Sequence, residues 1–222
     1  MTVITISRQY GSGGQEIAIR LSEILGYRYF DKKLMAQMAS ELSLSENDVV
    51  DLSEETYKIR SFLDHMLLGW RAPHAIALGE TWKEEISHLG SGAIKKLDEA
   101  ESIHLVQSLV QTAYQHDNVV IMGRGGQMIL KDRPDVLHVR LEAPFDLRKQ
   151  RLRDKKDISL EAAENMMIQR DRAAAAYLKH FYDIEWSNPL LYHLVINTGK
   201  WDIETSACLI AGAVNCLPSS KL

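Results

Sequence analysis

Thr2-Val3-Ile4-Thr5-Ile6, running straight into Ser7-Arg8-Gln9-Tyr10-Gly11-Ser12-Gly13-Gly14-Gln15-Glu16-Ile17-Ala18, is the stretch that decides the fold. Its first five residues read as a buried strand, and the residues after them make a glycine-rich turn into a helix. Three glycines in four positions let the backbone take positive φ and come close to a ligand. The N–H groups at the start of the next helix then favour bound phosphate. The stretch departs from the strict pattern G-x-x-x-x-G-K-[ST]: with Gly13 as the second glycine, Arg8, Gly14 and Gln15 stand where the first glycine, the lysine and the hydroxyl belong.

Working outward, residues 13 to 25 predict a helix with Ile17, Leu21, Ile24 and Leu25 on one stripe, closed by Gly26 as a left-handed cap. A short strand, Tyr27 to Phe30, leads to Asp31, and a helix carrying Leu34, Met35, Met38 and Leu42 comes next. From Ser43 to Gly92 the pattern is irregular and is expected to form a helical insertion over the site, with His65, Trp70, His74, Trp82 and His88 inside it. Ile103, Val106, Leu109, Val110 and Ala113 then mark a helical face, and Asn118 to Met122 an apolar strand ending in Gly123-Arg124-Gly125-Gly126. Val136 to Leu141 predict another strand, residues 145 to 154 a helix, Ser159 to Tyr182 a long helical segment, Leu191 to Ile196 a last strand, and Asp202 to Asn215 a final helix. Strands alternating with helices imply an α/β fold with a parallel sheet covered on both faces. The expected organisation is one domain over residues 1–222: a core of 1–42, 100–154 and 191–217, an insertion at about 43–99 and a lid at about 155–185.

A net charge of -4 gives no reason to expect a nucleic-acid partner, so clustered arginines need a local explanation. No signal-peptide pattern and no apolar run of about 18 residues is present, which sets the expectation of a cytoplasmic protein with no membrane partner. Cys208 and Cys216 are the only cysteines, eight apart, and are expected as thiols rather than as a metal site or a disulfide. The irregular spacing of His65, His74 and His88 does not make a metal site either.

In a parallel sheet of this kind ligands bind beyond the carboxyl ends of the strands. The Gly11–Gly14 loop, Asp31, Arg124 and Asn197-Thr198-Gly199-Lys200 all fall there. A second group of arginines, Arg148, Arg151, Arg170 and Arg172, comes from the helices between the last strands. Guanidinium forks suit phosphate oxygens, and phosphoryl transfer depends on positioning and charge stabilisation more than on covalent help. Asp31 also suits a plain cap for the next helix. A dinucleotide-binding reductase would explain Asp31, twenty residues after Gly11, but its G-x-G-x-x-G spacing needs glycine at position 16, which is Glu16.

Ile6 to Gly14, Tyr29-Phe30-Asp31-Lys32-Lys33, Val120-Ile121-Met122-Gly123-Arg124-Gly125-Gly126 and Asn197-Thr198 resemble the nucleoside monophosphate kinases, in particular the cytidylate kinase-like family, and the resemblance runs over most of the chain. It implies a three-layer α/β/α P-loop fold with an acceptor-side insertion and a lid, using ATP with magnesium. By the same resemblance Gly11, Ser12, Gly13 and Gly14, with Gln15 and Glu16 behind them, would cradle the donor phosphates. Arg124 would grip the acceptor monophosphate with Asp31 on the acceptor side, Arg151 and Arg172 would be lid arginines, and Asn197 and Thr198 would lie near the purine. Arg148 and Arg170 match less well. Arg8 is expected to supply the charge of the missing lysine, and Ser12, Gln15 or Glu16 to help hold the metal. Cytidylate kinases carry Asp after the arginine of the Gly-Arg motif; position 125 is Gly, so recognition of cytosine does not carry over. The competing expectation is a nucleotide-binding regulatory protein that has kept the fold and lost efficient chemistry.

Overall fold

The computed structural model describes residues 2–30 and 99–217. β1 (Val3–Arg8), β2 (Arg28–Phe30), β3 (Val119–Met122), β4 (Val136–Glu142) and β5 (Leu194–Asn197) form one sheet in the order β2-β3-β1-β4-β5. All the pairings are parallel, and the register sets Ile4 beside Val120 and Leu137, and Ile6 beside Met122 and Val139. Parallel strands need crossovers, and α1 (Gly14–Leu25), α2 (Glu99–Gln115), the pair α4 (Phe145–Lys156) and α5 (Leu160–Tyr182), and the closing α6 (Ile203–Val214) supply the helices between and after them. A single turn of helix, α3 (Gly126–Ile129), comes after β3.

The period of two along each strand sorts the core into two layers. On one face Val3, Val119, Ile121 and Val136 pack against Val106, Leu109, Val110 and Ala113 of α2. On the other, Ile4, Ile6, Val120, Val139, Leu141 and Ile196 pack against Ile17, Ala18 and Leu21 of α1 and Ala207 and Ile210 of α6. Both faces of β1, β3 and β4 are therefore dry, which is why these strands read as near-continuous apolar runs. The helix ends obey local chemistry: Gly26 closes α1 at φ 66°, Ser159 accepts a hydrogen bond from Ala162 N–H to start α5, and Asp202 does the same for α6 from Thr205 N–H.

The expected strands and helices among the described residues are present, with shifted ends. β1 runs two residues further, to Arg8, so that Gln9 N–H bonds to Leu141 O at 3.0 Å before the chain turns. β5 begins at Leu194 rather than Leu191, because Asn188 caps a 3-10 turn over Pro189–Leu191 that takes up the start of the expected strand. Cys208 and Cys216 are free and exposed. No helix among the described residues is long and apolar enough to cross a membrane. The expected helix after Asp31, the insertion, and its histidines and tryptophans lie outside the described residues, as does Asp31 itself.

Candidate active site at the carboxyl edge of the sheet

β1 is the central strand, and its carboxyl end opens into the glycine loop. Gly11 at φ 81° and Gly13 at φ 80° occupy the left-handed region that disfavours side chains. Gly14 is glycine for a different reason. A Cβ there would lie 2.8 Å from Arg8 Cγ and 2.9 Å from Arg8 Cβ, so the stem of Arg8 rests on the Gly14 backbone. A lysine at position 14 and an arginine at position 8 would compete for one space.

The loop is fastened from several sides. Gln9 Oε1 accepts from Ala143 N–H at 3.2 Å. Arg151 Nη1 donates to Ser12 O at 3.2 Å and Thr198 Oγ1 at 3.0 Å, its Nη2 donates to Thr198 O at 2.8 Å, and the Thr198 hydroxyl donates to Ser12 O at 2.6 Å. Ser12, Arg151 and Thr198 thus form one cluster joining the loop to the turn after β5. Asn197, exposed beside it, accepts from Gly199 N–H at 2.9 Å.

The remaining expected residues divide. Ser12 is fully buried with no hydrogen-bond partner for its hydroxyl among the described residues, Gln15 is exposed, and Glu16 forms an ion pair with Lys155 of α4. Arg172 is exposed on α5, and among the described residues no hydrogen bond joins it to the loop. Arg148, 6% exposed, belongs to the scaffold: Nη1 donates to Tyr10 O at 3.1 Å and to Asp171 Oδ2 at 2.6 Å. Arg170 lies over the Tyr10 ring, 5.9 Å from its centre.

On the neighbouring strand, β3 ends in three consecutive left-handed residues, Gly123 at φ 69°, Arg124 at φ 64° and Gly125 at φ 68°. A non-glycine residue held there costs about 1 kcal/mol or more, and such strain gathers at functional sites. Arg124 is also buried, at 4% exposure. Gly123 N–H anchors the turn to Ile6 O at 2.9 Å. A Cβ on Gly125 would fall 2.6 Å from the Tyr182 ring, so a side chain at that position is excluded by space as well as by backbone.

Beneath the loop is a polar network that sequence reading missed. Arg140, 2% exposed, donates through Nε to Glu142 Oε1 at 2.5 Å and through Nη1 to Trp186 O at 2.7 Å, with its plane over the Trp186 and Tyr192 rings at 4.4 and 5.6 Å. Trp186 Nε1–H in turn donates to Ser7 Oγ at 2.8 Å, directly before Arg8. The only signal for this in the sequence is an arginine in the middle of an apolar strand. Lower down, Thr5 Oγ1 and His138 Nδ1 are 2.7 Å apart, and burial together with the neighbouring His193 pushes the His138 imidazole down to about 4.

The glycine loop follows the central strand of a parallel sheet with Arg148 and Arg151 bonded to it from α4, and the family model described as cytidylate kinase-like matches residues 3–200. The chain belongs to the cytidylate kinase-like family. A cytidylate kinase of Methanothrix thermoacetophila is 24% identical over 217 residues, covering 97% of this chain and 99% of that one. One of Methanocaldococcus jannaschii is 33% identical over 103 residues, covering 45% of this chain and 57% of that one. Among solved structures, an uncharacterised protein of Eubacterium ventriosum superposes with a TM-score of 0.64 at 18% identity, covering 97% of this chain and 99% of that one. A protein of Thermus thermophilus gives a TM-score of 0.51 at 17% identity, over 98% of each chain. The three-layer P-loop kinase fold is shown by the family and by the parallel sheet.

Proposed function

We propose that this member of the cytidylate kinase-like family transfers the γ-phosphoryl group of ATP, bound with magnesium, to a nucleoside monophosphate or a related small phosphorylated acceptor. The observation that carries the reading is the exchange within the glycine loop. Position 14 has no room for a lysine while the Arg8 stem lies against it, and in this reading Arg8 supplies from position 8 the cation that the lysine supplies in the usual motif. In this reading the charge of the loop is rearranged rather than lost. Family membership and relatives named cytidylate kinase support nucleotide phosphoryl transfer in general terms.

In this reading the backbone of Gly11 to Gly14 binds the donor phosphates, and Arg8 and Arg151 hold the charge that builds on the transferring group. Asn197 and Thr198 border the nucleotide base. Arg124 binds the acceptor phosphate from its fixed position on the next strand, Asp31 contributes on the acceptor side, and Arg172 reaches the site from the lid. Gln15 at the start of α1 and Glu16, held by Lys155, are the oxygen donors at the mouth of the loop. They suit a magnesium ion bound chiefly by nucleotide phosphates and reached from the protein through water, whereas the buried Ser12 hydroxyl suits a contact within the loop. Magnesium would neutralise the β and γ oxygens as transfer proceeds.

The test is ADP release from ATP and magnesium against a panel of nucleoside monophosphates. Turnover with at least one acceptor is expected, falling about 10²-fold or more in Arg124→Ala, as for loss of the group that positions the acceptor phosphate. ATP binding without turnover of any acceptor would favour the second reading, a nucleotide-binding regulatory protein, which the missing lysine and hydroxyl at positions 14 and 15 support.

A further inference from the structure

The glycine loop has a second support, which comes from α5. Tyr10 stands at the shoulder of the loop, just before Gly11, and both of its backbone polar groups are bound by side chains from distant helices. Its N–H donates to Asp171 Oδ1 at 2.8 Å, and its carbonyl accepts from Arg148 Nη1 at 3.1 Å. The two side chains then close on each other, Arg148 Nη1 to Asp171 Oδ2 at 2.6 Å. Arg148 and Asp171 have side chains 7% and 23% exposed, so the pair is largely shielded from water and salt. The Tyr10 side chain is inserted as well: its hydroxyl donates to Met166 Sδ at 3.7 Å, and it packs on the cluster of Leu152, Ala163 and Met167.

A carboxylate placed against a phosphate-binding loop is electrostatically adverse unless its charge is neutralised. Arg148 does this, and it is therefore committed to Asp171 and Tyr10. The carboxylate also withdraws one backbone N–H, that of Tyr10, from the set that can face a phosphate, and so defines where the cradle begins. We propose that Asp171 is a positioning residue: it holds the Tyr10 peptide, and with it the glycine loop, in its phosphate-binding shape and ties that shape to the placement of α5. The proposal rests on the phosphoryl-transfer reading for its effect on rate, and on geometry alone for its effect on the loop.

The experiment compares wild type with Asp171→Ala and Asp171→Asn by three measurements: hydrogen exchange at the Tyr10 amide, ADP affinity, and kcat and KM for ATP with the best acceptor. In Asp171→Ala the Tyr10 amide is expected to exchange at least about tenfold faster, ADP to bind about fivefold weaker, and kcat to fall about 30-fold while KM for ATP rises no more than about fivefold. Asp171→Asn keeps an oxygen that accepts from Tyr10 N–H, and is expected to recover part of both the amide protection and kcat. Wild-type kcat and wild-type Tyr10 exchange in the alanine variant would overturn the proposal. So would a loss of activity that merely tracks a loss of folded protein, with Tyr10 exchange unchanged. If the wild type turns over no acceptor, the phosphoryl-transfer reading fails by itself, and the clamp is still decided: faster Tyr10 exchange with weaker ADP binding supports it, and no change in either overturns it.

Discussion

The glycine loop after β1 and the Gly123–Gly126 turn after β3 lie at the same edge of two hydrogen-bonded strands, yet they are held in opposite ways. The first takes its shape from outside. Its arginine precedes the glycines and lies on Gly14, while Arg148, Arg151, Asp171 and Thr198 reach in from α4, α5 and the turn after β5. The second is anchored to the sheet, with Tyr182 of α5 packed on Gly125. Its arginine is part of the left-handed run, buried and anchored through Gly123 N–H to Ile6 O. A loop bonded to side chains from helices can respond when those helices move, whereas a turn whose backbone is bonded to the central strand is tied to the sheet. In the proposed reaction this suits a donor site that closes and an acceptor phosphate site that does not.

The largest effect that would sharpen this contrast is at Gly125. Gly125→Ala forces a Cβ into a left-handed residue and into the Tyr182 ring, and should cost about 3 kcal/mol of stability, which for a chain of this size is a fall of about 6–12 °C in Tm. Gly14→Ala also meets close atoms, those of the Arg8 stem, but without the left-handed backbone, and should lose about 1 kcal/mol less. Thermal unfolding of the two variants side by side reads the difference, and equal losses would break the distinction between the turns.

Next in size is the exchange between positions 8 and 14. Arg8→Ala should lower kcat about a hundredfold, the usual consequence of removing a contact to transition-state charge. Gly14→Lys alone should not raise activity, because the new stem meets Arg8. Together with Arg8→Gly it restores the first glycine and the lysine of the usual motif, with Gln15 still in the place of the hydroxyl, so the double variant should exceed either single variant by about tenfold or more in kcat, a non-additivity expected of residues in contact. Simple additivity would mean that the two positions do not share the space.

These two glycines show what could be read from the chain and what could not. The short apolar runs revealed the strands, the glycines revealed the loop, and Ile103, Val106, Leu109, Val110 and Ala113 revealed the buried face of α2, because burial and backbone freedom leave a mark in the sequence. The missing lysine was plain in the sequence. That the Arg8 stem fills the space beside position 14 was a matter of two residues sharing one volume, which spacing does not encode. Asp171 was visible only as the residue between two arginines, and its partner Tyr10 lies 161 positions away. Arg148 looked like a weak candidate for phosphate because an arginine in a helix gives no sign of its partner. The early start expected for β5 has a local cause: Asn188 and Pro189 form a turn whose tail, Leu191 to His193, is as apolar and β-prone as the strand after it.

The smallest effect reaches the second turn from below. Thr5 carries Gly126 on its methyl group, 3.2 Å from where a Cβ would lie, and bonds to His138 at 2.7 Å. Burial holds His138 neutral down to about 4, while an unfolded histidine takes up its proton near pH 6.5. Between those values the unfolded chain binds more protons than the folded one, so this contribution to stability is complete above about pH 6.5 and is lost as the pH falls towards 4. From pH 7 to pH 5 the loss should be about 2 kcal/mol, measured by denaturant unfolding, and His138→Gln should flatten that part of the profile. Amide exchange sets this against the comparison of the two turns. At pH 5, after correction for the intrinsic pH dependence of exchange, Gly123 and Gly126 should lose protection before Ser12 and Ile17, because Gly126 rests on Thr5 and bonds to Gly123, itself bonded to Ile6 next to Thr5, whereas the second pair is held by Gln9, Gly13 and the arginines above the sheet. If the glycine loop opens first, the supports of the two turns have been assigned the wrong way round.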